Sequence, residues 1–378
     1  MFLPVILVGE FGITGWVVFA IPNIVGAAAF GWAVRDRDHA DRLLATHGRA
    51  MVVFSLVTIA FQIFFATWFF GRLNMLPAIV ACLMVAGALR VLGSGRPALD
   101  RIAASAGFLI SLAILGWWIV HLSQRREWSD FSSRVFIRPG AVAMGLVPVC
   151  FFGFALCPYL DLTFYAARRD MAAGSARRAF GWGFGLCFLL MIVLSLLYAP
   201  AISATLAGKP TPRFLMYLVA IHVVIQLSLT IVFHARATLE HLSERRGSVW
   251  LGGSVVTGIF IGITALAVGQ VPMPAFSAVG RLDAGELAYR LFLSFYGLIF
   301  PAYAWICMAG SFRNPAPPAA AQLRIVVFAI VIAAPMFAMG FLADRPLWLI
   351  PGVALVLFAR LVAWRKDADS PIMPSAGN

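Results

Sequence analysis

The sequence predicts an all-α integral membrane protein of about eleven transmembrane helices, and three observations carry that reading. Of the 378 residues 62% are apolar and only 12% are charged, against about 25% charged in a soluble domain. Mean hydropathy is +0.91. The apolar residues also run in stretches of about 20, enough for an α-helix to cross ~30 Å of hydrocarbon and too long for barrel strands. A soluble enzyme, a secreted disulfide scaffold and a nucleic-acid-binding domain are excluded as readings of the whole chain.

The expected spans are 13–34, 48–70, 73–93, 103–122, 140–167, 178–200, 214–234, 250–269, 287–310, 324–342 and 345–362. Connections between them are short, so the transmembrane bundle occupies 1–363. Residues 364–378 are polar and predict a disordered cytoplasmic tail. The N-terminus, MFLPVILVGEFG, has no basic segment, which argues against a cleaved signal peptide.

In the first span Asn23 sits in IPNIVG, where Pro22 and Gly26 predict a kink and helix packing. In the second, Ser55, Thr58 and Gln62 recur at i, i+3 and i+7 and share one face. Arg90, near the end of the third, can snorkel to the interface. The fourth, 103–122, carries no motif. The fifth is the informative one. It is long for a bilayer, and Pro158 removes a backbone donor and crowds the carbonyl of Phe154. A helix broken there exposes carbonyls at membrane depth, which is tolerated only against protein or a wet cavity. Asp161 follows, and an acid at depth is a functional candidate. It could equally cap a second half-helix, LTFYAARR.

Gly181 and Gly185 in the sixth span form a GxxxG and predict close packing. The seventh has a second polar face: His222, Gln226 and Thr230 at i, i+4 and i+8. Lipid rejects such faces, so both should look inward, to neighbouring helices or to water. Ser254, Gly258 and Gly262 predict packing of the eighth, and Pro301 a kink in the ninth. The last two spans are plain.

Net charge is +13, and nearly all of the basic residues are Arg. They lie between spans, where they report topology and touch lipid headgroups rather than nucleic acid. With the loop after the first span cytoplasmic, the cytoplasmic loops hold 18 Lys and Arg and the outer loops 10. That places the C-terminus in the cytoplasm of a multi-pass inner-membrane protein. The 5 cysteines lie within apolar segments and lack metal-ligand spacing. Among the histidines, only His222 is expected deep in the membrane. No metal site, cofactor or catalytic constellation is expected. The partners implied are the bilayer and a small solute; nothing specifies a protein partner or oligomer.

This pattern resembles the leucine-transporter fold of secondary transporters, as in the amino acid–polyamine–organocation and sodium:solute symporter families. FFGFALCPYLDLTFYAAR (151–168) is similar to their sixth helix and GEFGITGWVVFAIPNIVGAAAFGWAV (9–34) to their second. The resemblance implies two inverted repeats, 13–122 and 140–310, with 324–362 as two peripheral helices. Residues 1–12 would be a remnant of an incomplete first helix. It also implies a substrate site where the break at Pro158 meets the two polar faces. Tyr159 and Asp161 would bind the solute or its coupling ion; Ser55, Thr58, Gln62, His222, Gln226 and Thr230 would complete the cavity. Sodium-coupled relatives offer adjacent hydroxyls on the eighth helix, whereas Leu229 separates Ser228 from Thr230 here. Asp161 or His222 is therefore the candidate carrier of a coupling proton. The function implied is alternating-access transport of a small polar or amphipathic solute. The alternatives are a non-transporting sensor, scaffold or subunit with this fold and, further off, a membrane enzyme.

Overall fold

The structure is a computed structural model that describes residues 3–92, 97–124, 128–136, 144–206, 209, 211–242, 244–268, 283–312 and 317–368. Among these residues there is no strand. Nine helices are long and apolar enough to cross a membrane, or ten with one bent pair taken as a single span. The third expected span is a shorter helix, α3 (Leu76–Leu92), of 17 residues and ~26 Å. Each of the eleven expected spans thus coincides with a helical segment. The expected tail begins later than its polarity suggested, because the last helix, α15, runs Leu349–Ala368; residues 369–378 lie outside the described residues.

The first helix, α1 (Leu3–Ala33), departs most from its expected form. Gly12 has φ 59° and ψ −148°, a backbone conformation open to glycine and strained for other residues. The chain reverses there. A Cβ on Gly15 would lie 2.5 Å from the carbonyl oxygen of Leu7, whereas an unbroken helix would hold residues 7 and 15 about 12 Å apart. Residues 3–11 therefore fold back along residues 13–33. Hydropathy alone misses this, because both arms are equally apolar.

Helix α2 (Arg37–Arg72) starts eleven residues before its apolar stretch, where Asp36 caps it by accepting from the His39 N–H at 2.7 Å. The next spans are α4 (Pro97–Gln124) and, after the short α5 (Trp128–Val135), α6 (Leu146–Leu156). A tight turn, Cys157–Leu160, follows α6, and α7 (Leu162–Arg169) leaves it at 51°. The break expected at Pro158 is thus present. Asp161 caps α7: its Oδ1 accepts from the Thr163 N–H at 2.8 Å and from the Thr163 hydroxyl at 2.6 Å. Backbones crowd around this break. A Cβ on Gly26 would meet the Phe154 carbonyl oxygen at 2.6 Å, and one on Gly153 would meet that of Tyr296 at 2.6 Å. Gly26 serves close packing of α1 on the broken helix.

Helix α8 (Ala173–Trp182) passes through a wide π turn, Gly183–Phe188, into α9 (Leu189–Leu206). Only half of the expected GxxxG contact forms: Gly181 faces the Trp32 ring, whereas nothing lies near Gly185. Helix α10 (Arg213–His241) is long and central, and α11 (Glu244–Val268) packs along α2. Gly258 lies against Ala60 and Ile63, and Gly262 against Thr67, as the small-residue spacing predicts. Helix α12 (Ala284–Ser294) continues through π turns that flank α13 (Phe300–Tyr303). A widened turn accommodates the missing N–H and the ring of Pro301. Helix α14 (Ala320–Phe341) then pairs with α15.

Two arginines hold opposite ends of this bundle. Arg168, fully buried, donates to the carbonyls of Val34 at 2.8 Å and Met171 at 2.7 Å, and also to that of Arg35. It caps the end of α1 and ties α7 to it. At the other end Arg290 donates to Glu286 at 2.6 Å, to Glu10 at 3.0 Å and to the Phe341 carbonyl at 2.8 Å, with Asp344 at 3.8 Å. This cluster, in which Arg290 is buried and its acids are partly exposed, joins the N-terminal arm, α12 and α14.

Candidate functional site

A cavity opens at the break. Its larger lobe, about 620 Å3, lies between the broken helix, α1, α4, α9 and α10; the smaller, about 250 Å3, extends toward Leu3, Thr58, Gln62 and Tyr289. Asn23, Asp161, His234, Met191 and the rings of Phe54, Phe154, Phe188 and Tyr296 border both lobes. Asn23 and Gln226 lie near the midpoints of their helical segments, so the cavity sits about halfway through the bundle. Glycines at 26 and 153 allow the helices to approach at its edge, and the kinked backbone leaves the space beside it.

Asp161 is placed by the N-terminus of α7. Its Oδ1 is consumed by the cap, which leaves Oδ2 for the cavity. The partner of Oδ2 is His234, whose Nε2 lies 3.8 Å away. That distance is ion-pair range and too long for a hydrogen bond. His234 is 4% exposed. Its Nδ1 lies 3.1 Å from the Ser55 hydroxyl. Three helical elements therefore meet in one polar line: Ser55 from α2, His234 from α10 and Asp161 from the break. Beside it, Thr58 and Tyr296 share a hydroxyl hydrogen bond of 3.0 Å.

The residues expected from the sequence fall into two groups. Asp161, Thr58, Gln62, Gln226, Thr230 and Pro158 line the cavity, and Ser55 reaches it through His234. The Thr230 hydroxyl also donates back to the Gln226 carbonyl at 2.8 Å. Tyr159 and His222 lie elsewhere. The Tyr159 ring packs between Phe30 and Phe312, and its carbonyl accepts from Tyr165. His222 bonds Ser111 of α4 at 2.9 Å, with its Nε2 buried and unpartnered.

His234 is the residue that sequence reasoning missed. It stands near the end of the apolar run, which suggested an interfacial position, but α10 continues to His241 and carries it inward. A signal was present. His234 is the next residue in the series His222, Gln226, Thr230 at spacing four, and each such step rotates ~40° around a helix. His234 thus faces ~120° away from His222, toward the break. Asn23, expected chiefly to pack, also lines both lobes. Among the described residues no group of His, Cys, Asp and Glu is arranged to hold a metal ion.

No protein-family model matches the sequence, and no curated protein matches it. A solved structure does match the fold: Mhp1, a nucleobase-cation-symport-1 family transporter, in a closed conformation with bromovinylhydantoin bound. The TM-score is 0.52 at 13% identity, over 99% of this chain and 90% of that one. The chain has the leucine-transporter fold. Near-complete coverage at such low identity means that the helical path is shared. In the leucine-transporter fold seen here, a helix break supplies Asp161 to the cavity and a long polar-faced helix supplies His234.

Proposed function

We propose that this protein is a secondary transporter that moves a small amphipathic solute by alternating access, with a proton as coupling ion. The observation that carries the reading is the cavity halfway through the bundle, built on a helix break and holding an acid with one oxygen to spare. A bilayer-spanning protein gains nothing in stability from such a space; a carboxylate at that depth is costly and is retained for function. Its walls combine rings with few polar groups, among them Asn23, Gln62 and Gln226, which suits a solute with an apolar face and a hydrogen-bonding edge. Mhp1 carries a ligand of that kind.

In this reading 13–122 and 140–310 are the two repeats, residues 1–12 belong to the first helix, and 324–362 are peripheral. Alternating access works by the α7 arm and the α1 hairpin shifting relative to α2 and α10. The chain resides in the cytoplasmic membrane with its C-terminus inside. Cys187 and Cys157 line the larger lobe, but Cys187 is half-buried whereas Cys157, like Cys82, Cys150 and Cys307, is buried. A membrane-impermeant maleimide should therefore label Cys187 from either face, in right-side-out and in inverted vesicles. Labelling from one face only would remove alternating access, and retained solute uptake in Asp161→Asn would remove the assigned site.

A further inference from the structure

The charge inventory of the cavity points to its substrate class. Among the described residues lining both lobes, Asp161 is the sole carboxylate, no Lys or Arg is present, and His234 is the sole imidazole. The other titratable groups facing the pair are Cys157 and Tyr165 on the broken helix, Tyr296 beyond α12, Cys187 on the π turn before α9 and Tyr289 on α12. These are thiols and phenols rather than carboxylates or amines. The charge of the cavity is therefore set by two side chains 3.8 Å apart.

Two occupied states are electrically balanced. With a proton on His234, the imidazolium neutralises Asp161. With His234 neutral, the cavity carries one uncompensated negative charge until a cation enters, and the rings of Phe54, Phe154, Phe188 and Tyr296 line the space around it. Rings around a lone carboxylate favour a weakly hydrated organic cation over an anion or a strongly hydrated inorganic ion. With His234 neutral, an anion would meet Asp161 with no cationic side chain to offset it.

We propose that the cavity binds a small organic monocation, an amine or quaternary ammonium with an apolar body, in exchange for the proton on His234. This rests on the transporter reading and names its substrate class. As the cation reaches the carboxylate, His234 releases its Nε2 proton and keeps its Nδ1 contact with Ser55. One positive charge enters and one leaves, so the two ligands exclude each other at a single carboxylate. Transport is then an exchange of cation for proton, and a proton gradient drives the solute the opposite way.

The test is calorimetric binding to the purified full-length protein with three ring-bearing probes: benzyltrimethylammonium, whose charge does not titrate, neutral benzamide and anionic benzoate. The cation should bind more tightly at about pH 8.5 than at about pH 5.5, where protonated His234 competes for Asp161. Buffer-dependent heats should show proton release on cation binding, in a fraction that rises as the pH is lowered toward about 5.5. Asp161→Asn, which keeps the cap of α7 because Asn caps as well as Asp, should lose cation binding. His234→Gln should lose the proton release and the pH dependence. Absence of cation binding, tighter binding of benzamide or benzoate, or cation binding without proton release overturns the proposal. Benzyltrimethylammonium flux into proteoliposomes separates the two readings: binding with proton release but no flux keeps the cation site and removes the transporter, whereas flux of a neutral solute that the cation does not inhibit keeps the transporter and removes the cation site.

Discussion

Two buried charges of this bundle solve the same problem in opposite ways. Arg290 has more acceptors than it needs: Glu286, Glu10, the Phe341 carbonyl and, further off, Asp344. Asp161 has one oxygen saturated by the cap of α7 and the other facing a cavity, with His234 at 3.8 Å. A charge surrounded by fixed partners is part of the architecture, since moving it breaks several bonds at once. A charge with an open valence beside empty space is available to a ligand. The difference between structural and functional charge here is the number of partners, because both groups are largely buried.

The comparison breaks most easily at Arg290. Arg290→Met should leave three partly exposed acids facing one another and lower stability by about 2–3 kcal/mol, read as a fall in the melting temperature of the purified protein. If melting is unchanged, the cluster is not structural. Arg168→Gln should cost about 2 kcal/mol through the lost bonds to the carbonyls of Val34, Arg35 and Met171, and the loss should be concentrated in proteolytic sensitivity near the α1–α2 connection. Gly12→Ala should cost about 1–2 kcal/mol by strain at a positive φ, measured by the same melting. Asp161→Asn should change stability by less than about 1 kcal/mol, because the cap is kept, while uptake falls to background. A large loss of stability there would place Asp161 with Arg290 as an architectural charge.

Much of the fold is legible in local sequence. The lengths of the apolar runs identify the helical segments, Pro158 marks the break, and the contacts of Gly258 and Gly262 follow from their spacing. The hairpin at Gly12 is not legible, because the pattern is equally apolar on both sides and hydropathy records burial rather than direction. The cluster at Arg290 is also hidden, since its partners come from positions 10, 286, 341 and 344. For the cavity, the polar faces of α2 and α10 point the right way in outline. Tyr159 and His222 follow the same patterns as the lining residues and are drawn elsewhere by Phe312 and Ser111.

The sequence by itself determined that the chain spans a membrane repeatedly, that one span is interrupted at Pro158 and that two helices carry polar faces. Those properties depend on composition and on a repeat of 3.6 residues, which are local. The tertiary structure alone decided which histidine faces the acid. His222 and His234 lie on one helix, about 18 Å apart along its axis and ~120° apart around it. The rotation and depth of α10 against the break are set by packing with α2, α3 and α4. That register puts His234 against Asp161 and Ser55 and turns His222 toward Ser111.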